Sequence, residues 1–502
     1  MLYLAHSAAQ VNCPPRAVIA HHQRKQLEKP QRFSVSGKLA TMPHPTNGNI
    51  SFWYADIGGL PAYRAALPGD RDADICIVGG GYTGLWTAYY LKRAQPDLRI
   101  AILEKEFCGF GASGRNGGWL SGGFGWSREK YLANSSRAAV IAMETAMHGT
   151  VDEVLAVAER EKIDADIVRA DTLRVATNAA QWARVQASYR EARAWDVPED
   201  RVSLIDGTEA SARIRVDQVM GGLVHHGTAR VQPAKLVRGL ADVVERMGVS
   251  IYEQSAVIGL GKGRVQTAQG VVRAPLIVRA TEGFTAGLPG LKRQWMPMNS
   301  ALVMTEPLPA ALWDEIGWSG HELLGDAAHT YGYAQRTREG RIAMGGRGVP
   351  YRFGSATDVN GVTQQASIEG LQAMLLRWFP QTRGVKLEHA WCGVLGVPRD
   401  WCTTVGLDRA SGMAWAGGYV GLGVSSSNLV GRTLADLLLN QDTDLTRLPW
   451  VNRSVRPWEP EPFRWLGIHG MYQLYHWADK REFAGLSRTS RIATMANKIT
   501  GR

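Results

Sequence analysis

The strongest hydrophobic pattern in the chain lies between residues 74 and 104. An unbroken apolar run over 75–78 is typical of a parallel strand that is covered on both faces. Apolar side chains then recur at helical spacing, and a second, largely apolar run over 99–103 ends at Glu104. The pattern predicts a strand, a helix and a second strand, and the apolar face of the helix is formed by Leu85, Ala88, Tyr89 and Leu91.

Helical periodicity recurs further along the chain. One helix has Pro233 in its first turn and Gly248 just past its end, the positions that these two residue types favour. Another is predicted to begin after Ser425 to Ser427, because serine is a common cap of helix N-termini. Three more helices are predicted over 137–160, 178–194 and 364–379.

Strand patterns fill much of the remaining sequence. The sequence Arg-Glu-Gly-Arg at 338–341 indicates a hairpin within a β-rich segment. Residues 278–283 again lead an apolar strand into a turn of small residues, which predicts a strand that joins the first sheet from far along the chain. A short strand is predicted over 413–416, and β-like runs cover 249–258, 264–279 and 296–360.

These elements predict an α/β fold in which a Rossmann nucleotide-binding domain is joined to an α+β domain with a mixed or antiparallel sheet. At 502 residues the chain is long enough for two domains in one body. We assign the nucleotide-binding domain to 51–125, 225–295 and 401–445, and the substrate domain to 126–224 and 296–400. Residues 1–50 are expected to be a disordered leader, with Met1 and Met42 both open as the start, and 446–502 a basic, aromatic C-terminal arm.

The net charge of +11 lies in the two ends of the chain. Residues 1–41 carry six basic residues against one acid, and residues 446–502 carry ten against four. Residues 42–445 are therefore formally neutral, which argues against a basic groove built into the fold for nucleic acid. We predict no nucleic-acid partner.

Cysteine content and hydropathy indicate the compartment. Five cysteines without a Cys-x-x-Cys pair fit a reducing environment better than a disulfide framework. No apolar run approaches the ~20 residues of a membrane helix, and the first ten residues lack the basic region of a signal peptide. We expect a cytoplasmic protein with no integral membrane segment, and we predict no metal site.

Three glycines follow the first predicted strand with the spacing Gly79-x-Gly81-x-x-Gly84. The first allows a tight turn, the second lets the backbone approach a pyrophosphate, and the third lets helix and strand pack closely. Glu104, twenty residues after Gly84, can accept hydrogen bonds from both hydroxyls of an adenosine ribose. The motif predicts a bound adenine dinucleotide, NAD or FAD, and a βαβ turn without a ligand is the alternative.

Two further glycine-rich segments can approach a cofactor. Residues 108–125 contain eight glycines, and Ser113, Arg115 and Asn116 among them can bond phosphate or ring edges. A flexible linker is the alternative interpretation. The second segment is a turn that contains Gly418, Gly421 and Gly423. The N-terminus of the helix predicted after it can stabilise negative charge on a cofactor.

With these motifs the chain resembles the FAD-dependent amine and amino-acid oxidoreductases of the D-amino-acid oxidase and sarcosine oxidase type, and within them the γ-glutamylputrescine oxidoreductase branch. The matching motifs run in order from about residue 51 to 440 and include ADICIVGGGYTGL, FGASGRNGG and GGYVGLGVSSSNLVGRTLADLL. The resemblance implies a glutathione-reductase-like FAD-binding fold with a separate substrate domain. The sequence has no second strand–GxGxxG–helix unit, so NAD(P)H is not expected beside FAD.

The resemblance also implies which residues bind FAD. The ADP half would be held by Gly79, Gly81, Gly84, Glu104 and Lys105, with Val257 at the adenine. The diphosphate and flavin would lie along Ser113, Arg115, Asn116, Gly117, Thr281 and Gly283. The pyrimidine edge of the flavin would face Gly421, Gly423, Val424 and Ser425.

Departures from the sarcosine oxidases bear on the substrate. Those enzymes have a lysine beside the flavin, on the strand that here reads Arg341–Met344, and a second lysine near Ser425 that holds the substrate carboxylate. Neither lysine is present, which favours a larger amine over a simple N-methyl amino acid. Cys392 falls close to where those enzymes bond a cysteine to the flavin, so the resemblance raises the hypothesis of a covalent linkage; a plain buried thiol is the alternative and the more frequent case on a strand.

The resulting interpretation is oxidation of a primary or secondary amine, γ-glutamylputrescine or a related one. A hydride would pass from the α-carbon to flavin N5, the imine would hydrolyse, and oxygen or an electron carrier would take the electrons. Arg115, Tyr331 and Tyr333 are candidates for positioning the amine, and no proton-transfer residue is predicted. Alternatives are a D- or N-alkyl amino-acid dehydrogenase that passes electrons to a carrier, a flavin-dependent tRNA-modifying relative, and a flavin-binding protein without turnover.

Overall fold

The structure is a computed structural model that describes residues 45–123, 127–347 and 350–500. Most of the predicted leader, residues 1–44, lies outside the described residues. Residues 124–126, which include the end of the glycine-rich loop, also lie outside them. The first described strand falls within the segment predicted as a leader.

The elements of the described ranges are numbered in chain order. The strands are β1 (Thr46–Asn47), β2 (Arg71–Asp72), β3 (Ile75–Val78), β4 (Ile100–Leu103), β5 (Trp119–Leu120), β6 (Val168–Ala176), β7 (Val202–Asp206), β8 (Gly221–Arg230), β9 (Ser250–Tyr252), β10 (Val257–Gly261), β11 (Arg264–Thr267), β12 (Val271–Arg273), β13 (Leu276–Arg279), β14 (Met296–Thr305), β15 (Leu323–Asp326), β16 (Gly332–Arg336), β17 (Ile342–Gly346), β18 (Leu387–Val397), β19 (Thr404–Asp408) and β20 (Met413–Gly417). The α-helices are α1 (Phe52–Asp56), α2 (Tyr82–Ala94), α3 (Arg128–Leu132), α4 (Arg137–Arg160), α5 (Ala179–Ala194), α6 (Gly207–Arg213), α7 (Pro233–Arg246), α8 (Ala310–Ile316), α9 (Gln365–Trp378), α10 (Gly423–Leu438), α11 (Phe463–Phe483) and α12 (Arg491–Thr500).

The predicted βαβ unit is confirmed as β3, α2 and β4. The two strands pair in parallel with Ile77 opposite Ile102, and every residue of β3 is buried, as expected for a strand covered on both faces. β13 pairs with the other edge of β3, so the strand predicted to return from far along the chain is confirmed. The sheet has the order β19-β20-β13-β3-β4-β9, and its β19–β20 pair is antiparallel.

A ten-stranded sheet contains most of the remaining strands. Its order is β1-β18-β14-β17-β16-β15-β6-β8-β5, with β7 paired to β8. The β1–β18 and β15–β6 pairs are parallel and the others are antiparallel, so the sheet is mixed, as the fold prediction allowed. β2, β10, β11 and β12 form a third, four-stranded sheet. The residue boundaries of the two predicted domains stay a prediction.

The helices predicted from periodicity are confirmed as α4, α5, α7 and α9, each close to its predicted bounds. The predicted hairpin at 338–341 joins β16 to β17. The β-like run over 264–279 is divided into β11, β12 and β13 by short breaks at 268–270 and 274–275.

The predicted N-cap role of Ser425 to Ser427 is wrong. α10 already begins at Gly423, so these serines lie inside its first turns. The Ser425 hydroxyl donates instead to the carbonyl oxygen of Ser121, at 2.5 Å. This contact joins two residues that are 304 positions apart, and local residue preferences carry no information about it.

Two acids of α11, Asp479 and Glu482, are buried. The carboxylate of Asp479 accepts hydrogen bonds from the backbone N–H groups of His329 and Thr330, both at 2.8 Å. Glu482 pairs with Arg184 at 2.7 Å. Nowhere in the described part of the chain is a helix both long enough and apolar enough to cross a membrane.

Candidate active site

A cavity of about 460 Å³, here called the nucleotide cavity, lies where β3, β4 and β13 end. Ligands of open α/β sheets bind in the crevice at these carboxyl ends. The wall includes the predicted cofactor-binding residues Gly79, Gly81, Glu104, Lys105, Ser113, Asn116, Val257, Thr281, Gly283, Gly421, Gly423 and Val424. The predicted residues that lie outside the wall are Gly84, Arg115, Gly117 and Ser425.

Steric crowding requires glycine at the first and the last position of the Gly-x-Gly-x-x-Gly motif. Gly79 has a φ of +112°, and a Cβ there would lie 2.5 Å from the carbonyl oxygen of Ala280, the residue that follows β13. A Cβ on Gly84 would lie 2.1 Å from the carbonyl oxygen of Gly79. Gly84 therefore allows α2 to pack against the turn from behind, although it does not face the nucleotide cavity.

Glu104 is held in place by the backbone. Its two carboxylate oxygens accept hydrogen bonds from the N–H groups of Gly80, at 2.7 Å, and Glu106, at 2.9 Å. Burial raises the pKa of Glu104, and these two hydrogen bonds oppose the rise. A carboxylate oxygen has more than one acceptor site. Glu104 can therefore accept ribose hydroxyls without giving up its backbone partners.

The glycine-rich loop is shaped by two of its predicted polar residues. The Ser113 hydroxyl accepts from the backbone N–H of Tyr82, in the first turn of α2, at 2.9 Å. The Asn116 amide donates to the carbonyl oxygens of Ala112 and Ser113 and accepts from the N–H of Gly118. Both residues line the cavity. Ser113 holds the loop against the helix N-terminus, where a diphosphate is favoured, and Asn116 stabilises the fold of the loop itself.

A comparison with protein families gives the same assignment as this geometry. Residues 74–437 match the family model described as DAO, FAD dependent oxidoreductase. The chain belongs to this family of FAD-dependent oxidoreductases. The glycine turn, the buried acid Glu104 after β4 and the glycine-rich loop fit the ADP half of FAD.

Similar proteins cover most of the chain. The γ-glutamylputrescine oxidoreductase of Escherichia coli (strain K12) is 30% identical over 403 residues, which are 78% of this chain and 89% of that protein. The sarcosine oxidase subunit beta of an Arthrobacter species is 24% identical over 78% of this chain and 93% of its own length. The glycine oxidase structure from Geobacillus kaustophilus superposes with a TM-score of 0.62 at 21% identity, over 76% of this chain and 99% of that one.

Arg115 of this oxidoreductase lies behind the loop instead of in the cavity wall. Its guanidinium pairs with Asp358 at 2.8 Å, and both side chains are 1% exposed. Its Nε donates to the carbonyl oxygen of Phe110 at 2.7 Å, and the guanidinium lies 4.5 Å from the centroid of the Phe110 ring. The structure thus gives Arg115 a clear structural contact, and its predicted contact with the flavin or the amine stays a prediction.

Tyr331 and Tyr333 lie on one face of the ten-stranded sheet, here called the tyrosine face. Their rings stack with centroids 6.0 Å apart. A Cβ on Gly117 would lie 2.5 Å from the Tyr333 ring, so the ring rests directly on the glycine-rich loop. Gly117 therefore connects the tyrosine face to the nucleotide cavity through its neighbour Asn116.

Cys392 is buried on β18, and its thiol donates to the carbonyl oxygen of Val362 at 3.3 Å. Burial raises the pKa of the thiol to about 12, which keeps it protonated. Val394 and Leu395 of the same strand line the nucleotide cavity, but Cys392 does not. The covalent linkage stays a prediction. Acid precipitation tests it, because flavin that remains entirely in the supernatant would exclude the bond.

Glu282 is a cavity residue that the sequence analysis missed. Its carboxylate accepts from the backbone N–H groups of Gly418 and Tyr419, both at 3.2 Å, and thus ties the late glycine turn to the end of β13. Burial raises the pKa of Glu282 to about 7. An acid placed directly after an apolar strand, in the sequence Ala-Thr-Glu-Gly, was the available signal.

Replacing Glu282 with glutamine should reduce the pH dependence of stability. Because its pKa is raised from 4.5, the folded protein binds this proton more tightly than the unfolded chain. The stabilisation is complete below pH 4.5 and is lost as the pH rises through about 7. Denaturant midpoints of the apoprotein, measured across this pH range, should fall more for the natural protein than for Glu282→Gln. Parallel pH profiles would contradict the assignment.

Proposed function

We propose that this oxidoreductase oxidises a primary or secondary amine, γ-glutamylputrescine or a related one, to an imine that water hydrolyses. The observation that carries the proposal is the position of the tyrosine face, which meets the glycine-rich loop at Gly117, next to the nucleotide cavity. An aromatic surface at this place suits the alkyl chain of an amine. The 30% identity to a γ-glutamylputrescine oxidoreductase supports the same substrate class.

Bound FAD supplies the oxidising chemistry, since it accepts a hydride from the carbon beside the amine nitrogen. The chain's own residues would bind FAD and orient the amine. Gly79, Gly81 and Glu104 would hold the ADP half, and the loop from Ser113 to Asn116 would hold the diphosphate.

Aromatic side chains around Tyr333 would position the amine. The Tyr333 ring also contacts Trp119, with centroids 5.8 Å apart, and its hydroxyl lies 3.3 Å from the Ser300 hydroxyl. Burial raises the pKa values of Tyr331 and Tyr333, so both stay neutral at pH 7 and can donate hydrogen bonds. These groups would exclude water and align the alkyl chain, and they would leave the amine nitrogen free of charged partners.

Anaerobic reduction of the bound flavin by a panel of amines tests the proposal. The panel contains γ-glutamylputrescine, putrescine, sarcosine and several D-amino acids. Bleaching of the flavin absorbance by γ-glutamylputrescine or another long amine is expected, and preferential bleaching by sarcosine or D-amino acids would overturn the proposed substrate class. A protein that stays colourless after refolding with FAD would contradict the whole account.

The electron acceptor is settled in the same experiment. Admission of oxygen to the reduced protein should form hydrogen peroxide if the protein is an oxidase. Slow reoxidation without peroxide would assign the electrons to a carrier and favour the dehydrogenase alternative.

A further inference from the structure

Arg174 on β6 is a half-buried arginine next to β15. Its guanidinium makes no ion pair within the described part of the chain, and its Nε donates to the carbonyl oxygen of Asp326 at a long 3.4 Å. Arg184, by contrast, makes two hydrogen bonds to Glu482, at 2.7 and 3.1 Å. Because a buried charge without a partner is costly, Arg174 is suited to an anion that arrives with a ligand.

The sheet register places Arg174 on the tyrosine face. Arg174 lies opposite Gly325 of β15, and Gly325 lies opposite Tyr333 of β16 on its other side. Directly paired residues project their side chains to the same face of a sheet. The Tyr331 side chain packs directly on Gly325, because a Cβ on Gly325 would lie 2.6 Å from the Tyr331 hydroxyl. The tyrosine face therefore extends from Gly117, the neighbour of the cavity residue Asn116, across the two tyrosines to Arg174.

The strand spacing sets the length of a substrate that would reach from Tyr333 to Arg174. Neighbouring strands are about 4.8 Å apart, so the backbones of Arg174 and Tyr333 lie roughly 10 Å apart across β15. That separation corresponds to a chain of several methylene groups. An anion bound by Arg174 would thus belong to the distal end of a long substrate, not to the carbon that bears the amine.

The described residues next to Arg174 form no ion pair with its guanidinium. His225 of β8, opposite Thr172 of β6, has a pKa lowered to about 4 by burial and by the nearby guanidinium of Arg174. It is therefore neutral at pH 7. The Asp326 carboxylate attracts Arg174 electrostatically. Asp326 follows Gly325 in β15, however, so its side chain projects to the opposite face of the sheet and forms no ion pair with Arg174. Its Oδ1 accepts from the backbone N–H groups of Ala328 and Gly332.

A second guanidinium lies on the same face. Arg347 follows Gly345 by two positions, and Gly345 lies opposite Tyr333. Its Nη1 contacts the sulfur of Met298 at 2.6 Å, and it makes no ion pair with a described residue. Tyr331 therefore stands between two cations, and the surface favours a negatively charged group.

We propose that Arg174 binds a carboxylate at the distal end of the amine substrate, which makes this oxidoreductase selective for amines that carry an anionic tail. The inference rests on the proposed function, and it adds the chemical class of the tail. A guanidinium can hold a carboxylate with two parallel hydrogen bonds, which an amide or a methyl group cannot reproduce.

The test compares amines with and without the tail. Substrates are γ-glutamylputrescine and ω-amino carboxylates of graded length, each set against an alkylamine of the same length. Arg174→Gln should lower kcat/KM for the carboxylate-bearing amines by about 10- to 100-fold, the loss expected for a charged hydrogen bond. It should leave the alkylamines nearly unchanged. Arg169→Gln is the matched control, since Arg169 lies on the same strand, is 59% exposed and pairs with Asp152.

A second measurement separates this inference from the proposed function. Alkanoates of graded length, which have no amine to oxidise, are titrated into the FAD-bound protein by calorimetry. Binding that weakens in Arg174→Gln but not in Arg169→Gln supports the carboxylate site even if no amine of the panel reduces the flavin. Equal turnover of amines with and without a carboxylate, together with alkanoate binding unaffected by Arg174→Gln, would overturn it.

Discussion

Replacing Asp358 with leucine should lower the free energy of unfolding by about 3–5 kcal/mol, the cost of leaving one charge of a buried ion pair without its partner. The Arg115 and Asp358 side chains are each 1% exposed, and their atoms lie 2.8 Å apart. Asp358 also accepts from the backbone N–H of Gly361 at 2.5 Å, so its loss frees a second buried group. Denaturant unfolding followed by circular dichroism measures the change.

The double variant makes this prediction specific. Arg115→Met combined with Asp358→Leu removes both charges and should be less destabilised than Asp358→Leu alone, because no uncompensated charge remains. Asp442→Leu is the control, since its ion pair with Arg447 is exposed at both ends and such pairs contribute little. A double variant as unstable as the sum of the two single variants would show that the residues act independently.

Replacing Glu104 with glutamine should weaken FAD binding by about tenfold to 100-fold. The carboxylate is predicted to accept the ribose hydroxyls, and a hydrogen bond to a charged group contributes about 1.5–3 kcal/mol. Glutamine keeps the shape but removes the charge and one acceptor. The FAD dissociation constant, measured by titrating the apoprotein with FAD and following flavin fluorescence, tests this.

Two controls accompany the Glu104 variant. Asp74→Asn changes an exposed acid near the start of β3, which pairs with Arg99 at 2.6 Å, and it should leave FAD affinity unchanged. The apoprotein of Glu104→Gln should keep its circular dichroism spectrum, so that lost affinity reports the ribose contact and not misfolding. FAD affinity equal to that of the natural protein would mean that Glu104 does not hold the nucleotide.

The cofactor half of the site could be predicted because its signals are local. Gly79 and Gly84 are required by a turn that spans six residues, and Glu104 follows at the end of the next strand. Apolar runs and glycine turns are decided by neighbours in the sequence, and they can therefore be interpreted without tertiary structure. The family assignment rests on such local motifs and is confirmed by the match over 74–437.

The substrate half could not be predicted in the same way. Tyr331 and Tyr333 could be predicted from the sequence, but Arg174 could not, because nothing local distinguishes an arginine on this face of the sheet from one that faces solvent. Glu282 was missed for a related reason, since its partners Gly418 and Tyr419 lie more than a hundred residues away.

The sequence by itself determined the βαβ unit, the chief helices, the hairpin and the FAD-dependent family, all of which follow from periodicity and turn chemistry over short stretches. Only the tertiary structure decided that Arg115 pairs with Asp358, 243 positions away, and that Arg174 and Tyr333 share one face of a sheet. The physical reason is strand register. Which residues stand opposite each other is set by packing across the whole sheet, and a shift of one residue would turn every side chain to the other face.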